Sequence, residues 1–306
     1  MKCPRCKKEH EEETKLCGLC KEHNRKNYAQ NADKIKKQVR EYQERNAEYY
    51  KEYMKEYRAE NTEQIKEYFK KYRAENTDKI KERNKKYRAT IHAKFLDAKD
   101  SARKRNINFE ITEEFVGQLT EQNCWYCDQE TTITLRNGID RFDSVKGYIN
   151  SNVVSCCGSC NYMKQCVDPL TFVERCAQIS LHNGFDGVMC EFWNDIKGTT
   201  YATYKSQNKH KEFQLTREQY DTLRQGNCTY CGRTCTDTHT NGIDRIDSSL
   251  GYIINNCVSC CGDCNYAKGT MTKDDFVSKC VTIASKTHIF PNIPRCVKMF
   301  ARNRPK

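Results

Sequence analysis

Twelve of the 21 cysteines fall into three quartets, and two quartets carry an aspartate and an asparagine at matching positions. Residues 124–161 contain Cys124-x2-Cys127, Asn137-Gly-Ile-Asp140-Arg141-Phe-Asp143-Ser, Gly147-Tyr148 and Cys157-x2-Cys160-Asn161. Residues 228–265 repeat this without insertion or deletion, placing Cys228, Cys231, Asp244, Arg245, Asp247, Cys261, Cys264 and Asn265 in the same order. Two such knuckles can share one tetrahedral Zn2+. Oxygens from Asp140 and Asn161, or from Asp244 and Asn265, suit a hard cation such as Mg2+ or Mn2+, which keeps several waters and takes few protein ligands. The third quartet, Cys3, Cys6, Cys17 and Cys20, lies in a segment too short to fold without its metal. About three structural Zn2+ per chain are therefore expected. His10 and His23 read as surface residues beside a complete shell, and the nine other cysteines as small buried residues. Cys156 and Cys260 abut the ligands, which leaves two registers open for each second knuckle.

Short elements must bring these groups together. Asn-Gly marks a tight turn. Residues 139–142 and 243–246 then read as strands, with return strands after Gly-Tyr and a helix starting at each Cys-x2-Cys-Asn. The pattern is strand, strand, helix, with zinc joining the ends. It places Asp140 and Asp244 on first strands and Asn161 and Asn265 at helix starts. Lys164 and Lys268, one turn later, are expected to face phosphate. Tyr126, Tyr230, Tyr148 and Tyr252 read as packing residues. Thr112, Thr216 (with Gln219), Asp168-Pro169 and Thr272 (with Asp275) read as helix N-caps.

Residues 24–105 contain no proline and repeat every fifteen residues, with Asn31, Asn46, Asn61 and Asn76 and with Tyr42, Tyr57, Tyr72 and Tyr87 in register. The composition favours a mostly continuous, exposed helix on which the tyrosines form one slowly winding stripe. Asn-Thr caps could instead divide it. It serves either as a spacer or as a track for phosphates with tyrosines against sugars and bases. Residues 21–108 carry 26 Lys/Arg against 15 Asp/Glu, most of the net charge of +12. Such an excess attracts nucleic acid. The helix lacks the apolar face of a membrane binder and the aliphatic seam of an ordinary coiled coil.

The chain is 37% hydrophobic and 31% charged, which favours small metal-stapled modules over one large core. No signal peptide or membrane-length apolar stretch is present, so an intracellular, reducing compartment (cytoplasm or nucleus of a host cell) is expected, with thiolate ligands rather than disulfides. The expected order is a zinc unit (1–23), a basic helical segment (24–105), a first module (106–182), a linker (183–208), a second module (209–288) and a basic tail (289–306). The fold class is α+β.

Cys-x2-Cys, Asp-Arg-x-Asp, Gly-Tyr and Cys-x2-Cys-Asn-x2-Lys together resemble the HNH, or ββα-metal, nuclease superfamily. The likeness is to its recombination endonuclease VII-like members and to the homing-type endonucleases of phages and large DNA viruses. The resemblance implies that Asp140 with Asn161, and Asp244 with Asn265, each hold one divalent metal and that DNA or RNA is cut. It implies a chain acting as a pseudo-dimer, or as a homodimer through the long helix. One position departs from the family: its general-base histidine is replaced by Arg141 and Arg245. A guanidinium cannot take a proton from water. Asp143 and Asp247 could activate water instead, or solvent supplies the base while arginine stabilises the phosphorane. Otherwise the arginine grips phosphate at an inert site, or pairs with Asp143 as a structural salt bridge. His239 has no counterpart in the first copy, where Leu135 stands. The expected activity is metal-dependent DNA cleavage at two tandem sites; the alternative is a non-catalytic, zinc-dependent nucleic-acid-binding protein.

Overall fold

The computed structural model describes residues 18–132 and 135–298, together with Cys6 and Glu9. Cys3 and Cys17 lie outside the described residues, and with them the expected N-terminal zinc site. The chain divides into two units, Met1–Lys81 and Glu82–Lys306.

The first unit is helical: α1 (Gly18–Arg45), α2 (Ala47–Glu60), α3 (Thr62–Glu75) and the start of α4 (Thr77–Arg88). The repeat asparagines mark its joints without capping them. Asn46 and Asn61 make no side-chain cap bond, and both have ψ of 19°. Each instead donates its Nδ2 back to the carbonyl of the tyrosine four residues earlier, at 2.8 Å. The backbone ladder runs through them, with Tyr50 N donating to Asn46 O and Ile65 N to Asn61 O. Each joint is thus a local loosening of one helix rather than a new start. α2 and α3 bury no residue, and Tyr42, Tyr57 and Tyr72 lie exposed along the stripe.

The expected helix over 24–105 does not run to its end. It stops at Arg88, because the Thr90 side chain accepts from Ala93 N and starts α5 (Ile91–Arg105) afresh. α5 and α6 (Glu113–Thr120) pack over β1 (Gly138–Arg141) and β2 (Val153–Cys156), which pair antiparallel with Asp140 opposite Val154. A single 3-10 turn at Asn150–Asn152 precedes β2, and α7 (Gly158–Lys164) and α8 (Pro169–His182) follow it. The second copy runs α9 (Tyr201–Gln207), α10 (Arg217–Gln225), β3 (Gly242–Arg245), β4 (Cys257–Cys260), α11 (Gly262–Lys268) and α12 (Lys273–Ser285). Its register is the same, with Asp244 opposite Val258. All four expected N-caps form, including the capping box of Thr216 and Gln219.

Gly147 and Gly251 are required by close approach. A Cβ on them would meet the carbonyl oxygens of Asn108 and Glu212 at 2.3 and 2.5 Å. Through this gap the incoming chain bonds Tyr148 and Tyr252. The loop after each first strand is sewn down by Asn152 and Asn256. Asn152 accepts from Asp143 N and donates to the carbonyls of Asp143 and Gly147, at 2.9–3.0 Å.

The two modules share one core. α8 packs on α12, and Tyr126, Phe172, Ile179, Tyr230, Phe276 and Ile283 join the cysteines in a single buried cluster. The crossings are reciprocal: Gln178 of α8 donates to Cys231 O, and Lys279 of α12 donates to Cys127 Sγ at 2.9 Å. The segments expected as linker and tail are built into this core. Trp193 packs against it, Asn194 bonds Asp263, and Cys296 exchanges backbone and side-chain bonds with Asp168.

Replacing Asn152 by Ala strands the Asp143 amide and two carbonyls inside the loop. The expected loss is about 2–3 kcal/mol of stability, read from denaturant unfolding of the zinc-loaded protein; an unchanged midpoint would show that the loop holds itself.

Candidate metal centres and the Asp–Asn corner

Cys124, Cys127, Cys157 and Cys160 bring their sulfurs within 4.8 Å of one another, as do Cys228, Cys231, Cys261 and Cys264. Cys127 and Cys157 sulfurs lie 3.8 Å apart, as do those of Cys231 and Cys261. That is far beyond a disulfide. It matches the edge of a tetrahedron with Zn–S bonds of about 2.3 Å. The donor set therefore fits zinc. Crowded together, the thiols of each quartet shift in opposite directions: Cys127 and Cys231 foremost push Cys124 and Cys228 down, while Cys124 and Cys228 foremost push Cys160 and Cys261 up. The register question is resolved by Cys156 and Cys260. Burial pushes both thiols up, and each donates its S–H to the carbonyl of the next cysteine. Their sulfurs stand outside the two quartets, which makes them packing residues beside the ligands.

Each quartet ties the loop before the first strand to the helix after the second. Asp140 lies on β1 and Asn161 on α7, and both line one cleft. Asn161 Nδ2 donates to the carbonyl of Ile139 at 3.2 Å, and Asn265 does the same to Ile243 at 3.1 Å. The residue before each aspartate therefore fixes the asparagine amide.

What surrounds the aspartate was not visible in the sequence. Tyr126 donates its hydroxyl to Asp140 Oδ2 at 2.7 Å, and Tyr230 to Asp244 at 2.6 Å. Burial, reinforced by the carboxylate, pushes both phenols well above the usual range. Lys164 Nζ lies 3.0 Å from Asp140 and Lys268 Nζ 3.1 Å from Asp244. Both lysines are 0% exposed. They do not face phosphate as expected; each supplies the countercharge of a buried carboxylate and also donates to the carbonyl of the following arginine. The tyrosines are packing residues, as read, but with a polar duty the sequence did not announce.

Arg141 and Arg245 form no salt bridge with Asp143 and Asp247 among the described residues. Arg141 Nη1 donates to the carbonyls of Ser144 and Lys146, and its guanidinium lies 5.1 Å from the centre of the Tyr148 ring. Arg245 repeats this with Ser248, Leu250 and Tyr252. Asp143 and Asp247 cap the turn that follows, accepting from Val145 N and Ser249 N. The Ser249 hydroxyl and amide hold the Asp247 carboxyl below its usual range, which makes it a weaker base for activating water. His239 is fully buried between Asn241 Oδ1 and Ile196 N, and burial lowers its pKa. It is a core residue.

In the first module the corner opens on a cleft of about 300 Å³ lined by Asp140, Arg141 and Asn161, and by Lys94, Ser101 and Arg105 of α5. Asp140 has lone pairs to spare beside Tyr126 and Lys164, since a carboxylate accepts about four hydrogen bonds. With Asn161 beside it, a hard cation completed by water fits this donor set.

The chain matches no known family profile, and no solved structure matches it. It is 37% identical over 195 residues to an uncharacterized protein of Acanthamoeba polyphaga mimivirus, over 62% of this chain and 37% of that protein. The chain thus spans well under half of its viral relative. No helix among the described residues is long and apolar enough to cross a membrane.

Cys157→Ala should cost one bound zinc per chain while Cys156→Ala costs none, with the same contrast at Cys261 and Cys260, measured by elemental analysis of folded protein. Equal zinc loss from Cys156→Ala would return the knuckle to the other register.

Proposed function

We propose that this chain is a metal-dependent endonuclease of the HNH type that hydrolyses phosphodiester bonds in DNA. The observation that carries the reading is the bond from Asn161 to the carbonyl of Ile139, the residue before Asp140, repeated by Asn265 and Ile243 before Asp244, at the strand–helix corner of a ββα unit whose four cysteines fit zinc. Asp140 and Asn161 would hold one Mg2+ or Mn2+, which would polarise the scissile phosphate and stabilise the leaving oxygen. Asn161 is oriented by the Ile139 carbonyl, and Lys164 balances the buried Asp140 charge. Arg141 lines the cleft as a fixed cation for the phosphate, braced by two loop carbonyls. Arg141 and Arg245 stand at the general-base position, so in this reading the proton of the attacking water leaves to solvent.

A second reading, a non-catalytic DNA-binding protein on the same scaffold, is favoured by the engagement of each aspartate with a buried lysine and tyrosine.

Conversion of supercoiled plasmid to nicked and linear forms, with Mg2+ and with EDTA, separates the two. The parent should cut only with metal. Asn161→Ala with Asn265→Ala should lower the rate by more than about 100-fold while DNA binding and zinc content persist. Binding without cutting by the parent establishes the second reading; neither binding nor cutting sinks both. The asparagines are preferred to the aspartates as targets, because losing Asp140 strands a buried ammonium at a cost of about 3–5 kcal/mol.

The helical unit is the second DNA contact in this reading. Deleting residues 24–81 should weaken binding to a DNA duplex and flatten its dependence on salt. An unchanged slope would make the unit a spacer.

A further inference from the structure

The two Asp–Asn corners have the same strands, register and zinc ligands, but different covers. Over β1 lies α5, fifteen residues long, presenting Ala98 and Ala102 toward the sheet. The small side chains leave the cleft in which Asp140, Arg141 and Asn161 are reached. Lys94 and Arg105 line the same cleft, and neither makes a hydrogen bond or salt bridge through its charged end among the described residues. Lys94 is half-buried, and burial lowers its pKa, so its ammonium sits partly stripped of water; Asp97 on the same cleft opposes that shift without bonding to it. Over β3 lies α9, only seven residues long. There Tyr204 takes the space: its hydroxyl reaches the Ile243 carbonyl at 3.4 Å, the same carbonyl that fixes Asn265, and its ring packs on Tyr252 and Phe213.

We propose that the two sites are not equivalent: the first module takes a DNA phosphodiester in its cleft through Lys94 and Arg105, and the second, closed by Tyr204, is a supporting copy. This deepens the nuclease reading by assigning the strand-engaging site to one module. It rests on that reading only for the chemistry, since the cleft would grip phosphate with or without turnover.

The test is therefore a binding measurement in EDTA, which holds whether or not the parent cuts. A short fluorescein-labelled DNA duplex is titrated with the full zinc-loaded chain over a range of KCl, and anisotropy gives affinity and salt slope. Lys94→Gln with Arg105→Gln should weaken binding more than about tenfold and lower the slope by about two, one for each phosphate left without its cation. Lys205→Gln with Lys209→Gln, on and just beyond α9, removes the same charge and should change affinity less than about twofold. Glutamine keeps most of the side-chain stem, and unchanged zinc content and melting temperature check the fold. Equal weakening by the two pairs would show that only net charge matters and would overturn the assignment. Unchanged binding by the first pair would do the same, and an effect confined to an RNA duplex would overturn the choice of DNA.

Discussion

Four sulfurs within 4.8 Å of one another are the constraint on which each module depends. Strands of four residues and a helix of seven are below what backbone hydrogen bonds can sustain alone in water. One metal held by the four cysteines would fix the loop before the first strand against the helix after the second. That single closure sets where Asn161 reaches the strand beside Asp140. The sharing of one core extends the dependence. Lys279 reaches from the second module to Cys127, and although burial opposes its charge, the bond to that sulfur raises its pKa overall. A cation from one copy thus offsets negative charge at the metal centre of the other.

The buried carboxylate is the second constraint. Asp140 and Lys164 are both nearly inaccessible, so each needs the other, and Tyr126 takes a further lone pair. A buried ion pair is weak evidence for stability, because desolvation offsets much of the attraction. Its repetition in both copies fits a role in positioning. The lysine also holds the carbonyl of Arg141, fixing the strand end from which that arginine turns to its loop. Carboxylate, strand end and loop are thereby one rigid corner, which a site needs if it is to present oxygens to a cation without rearranging.

What the sequence made legible was local. Knuckle spacing and the caps at Thr112, Asp168, Thr216 and Thr272 depend on residues close along the chain, and each forms. The Asn-Gly pairs form no turn: Gly138 and Gly242 open the strands β1 and β3, and Asn137 and Asn241 are buried, donating to backbone carbonyls. The helix over 24–105 was legible except for its end, where Thr90 acts as a cap without a repeat partner to announce it. The errors are tertiary. A lysine one turn after the Cys-Asn reads as exposed, and nothing in its neighbours says that the first strand will place a carboxylate over it. Arg141 suggested an ion pair with Asp143, but the tight loop offers two unbonded carbonyls closer to hand. The second ligand register was open because adjacent cysteines look alike in sequence. Only the position of the sulfur, against a carbonyl or within the quartet, tells them apart.

Duplication inside one chain has a physical consequence that a symmetric dimer lacks. In a homodimer any change at one corner appears at both. Here the covers have diverged, α5 with alanines and α9 with Tyr204, while the strands, zinc ligands and Asp–Lys–Tyr corner have stayed alike. The retained parts are those that each module needs in order to fold and to complete the shared core. The diverged parts pack on each module's own small core and border the corner. A second module can therefore keep its whole framework, lose its opening, and still be indispensable, because α12 closes the core over α8 and reaches the metal centre of the first.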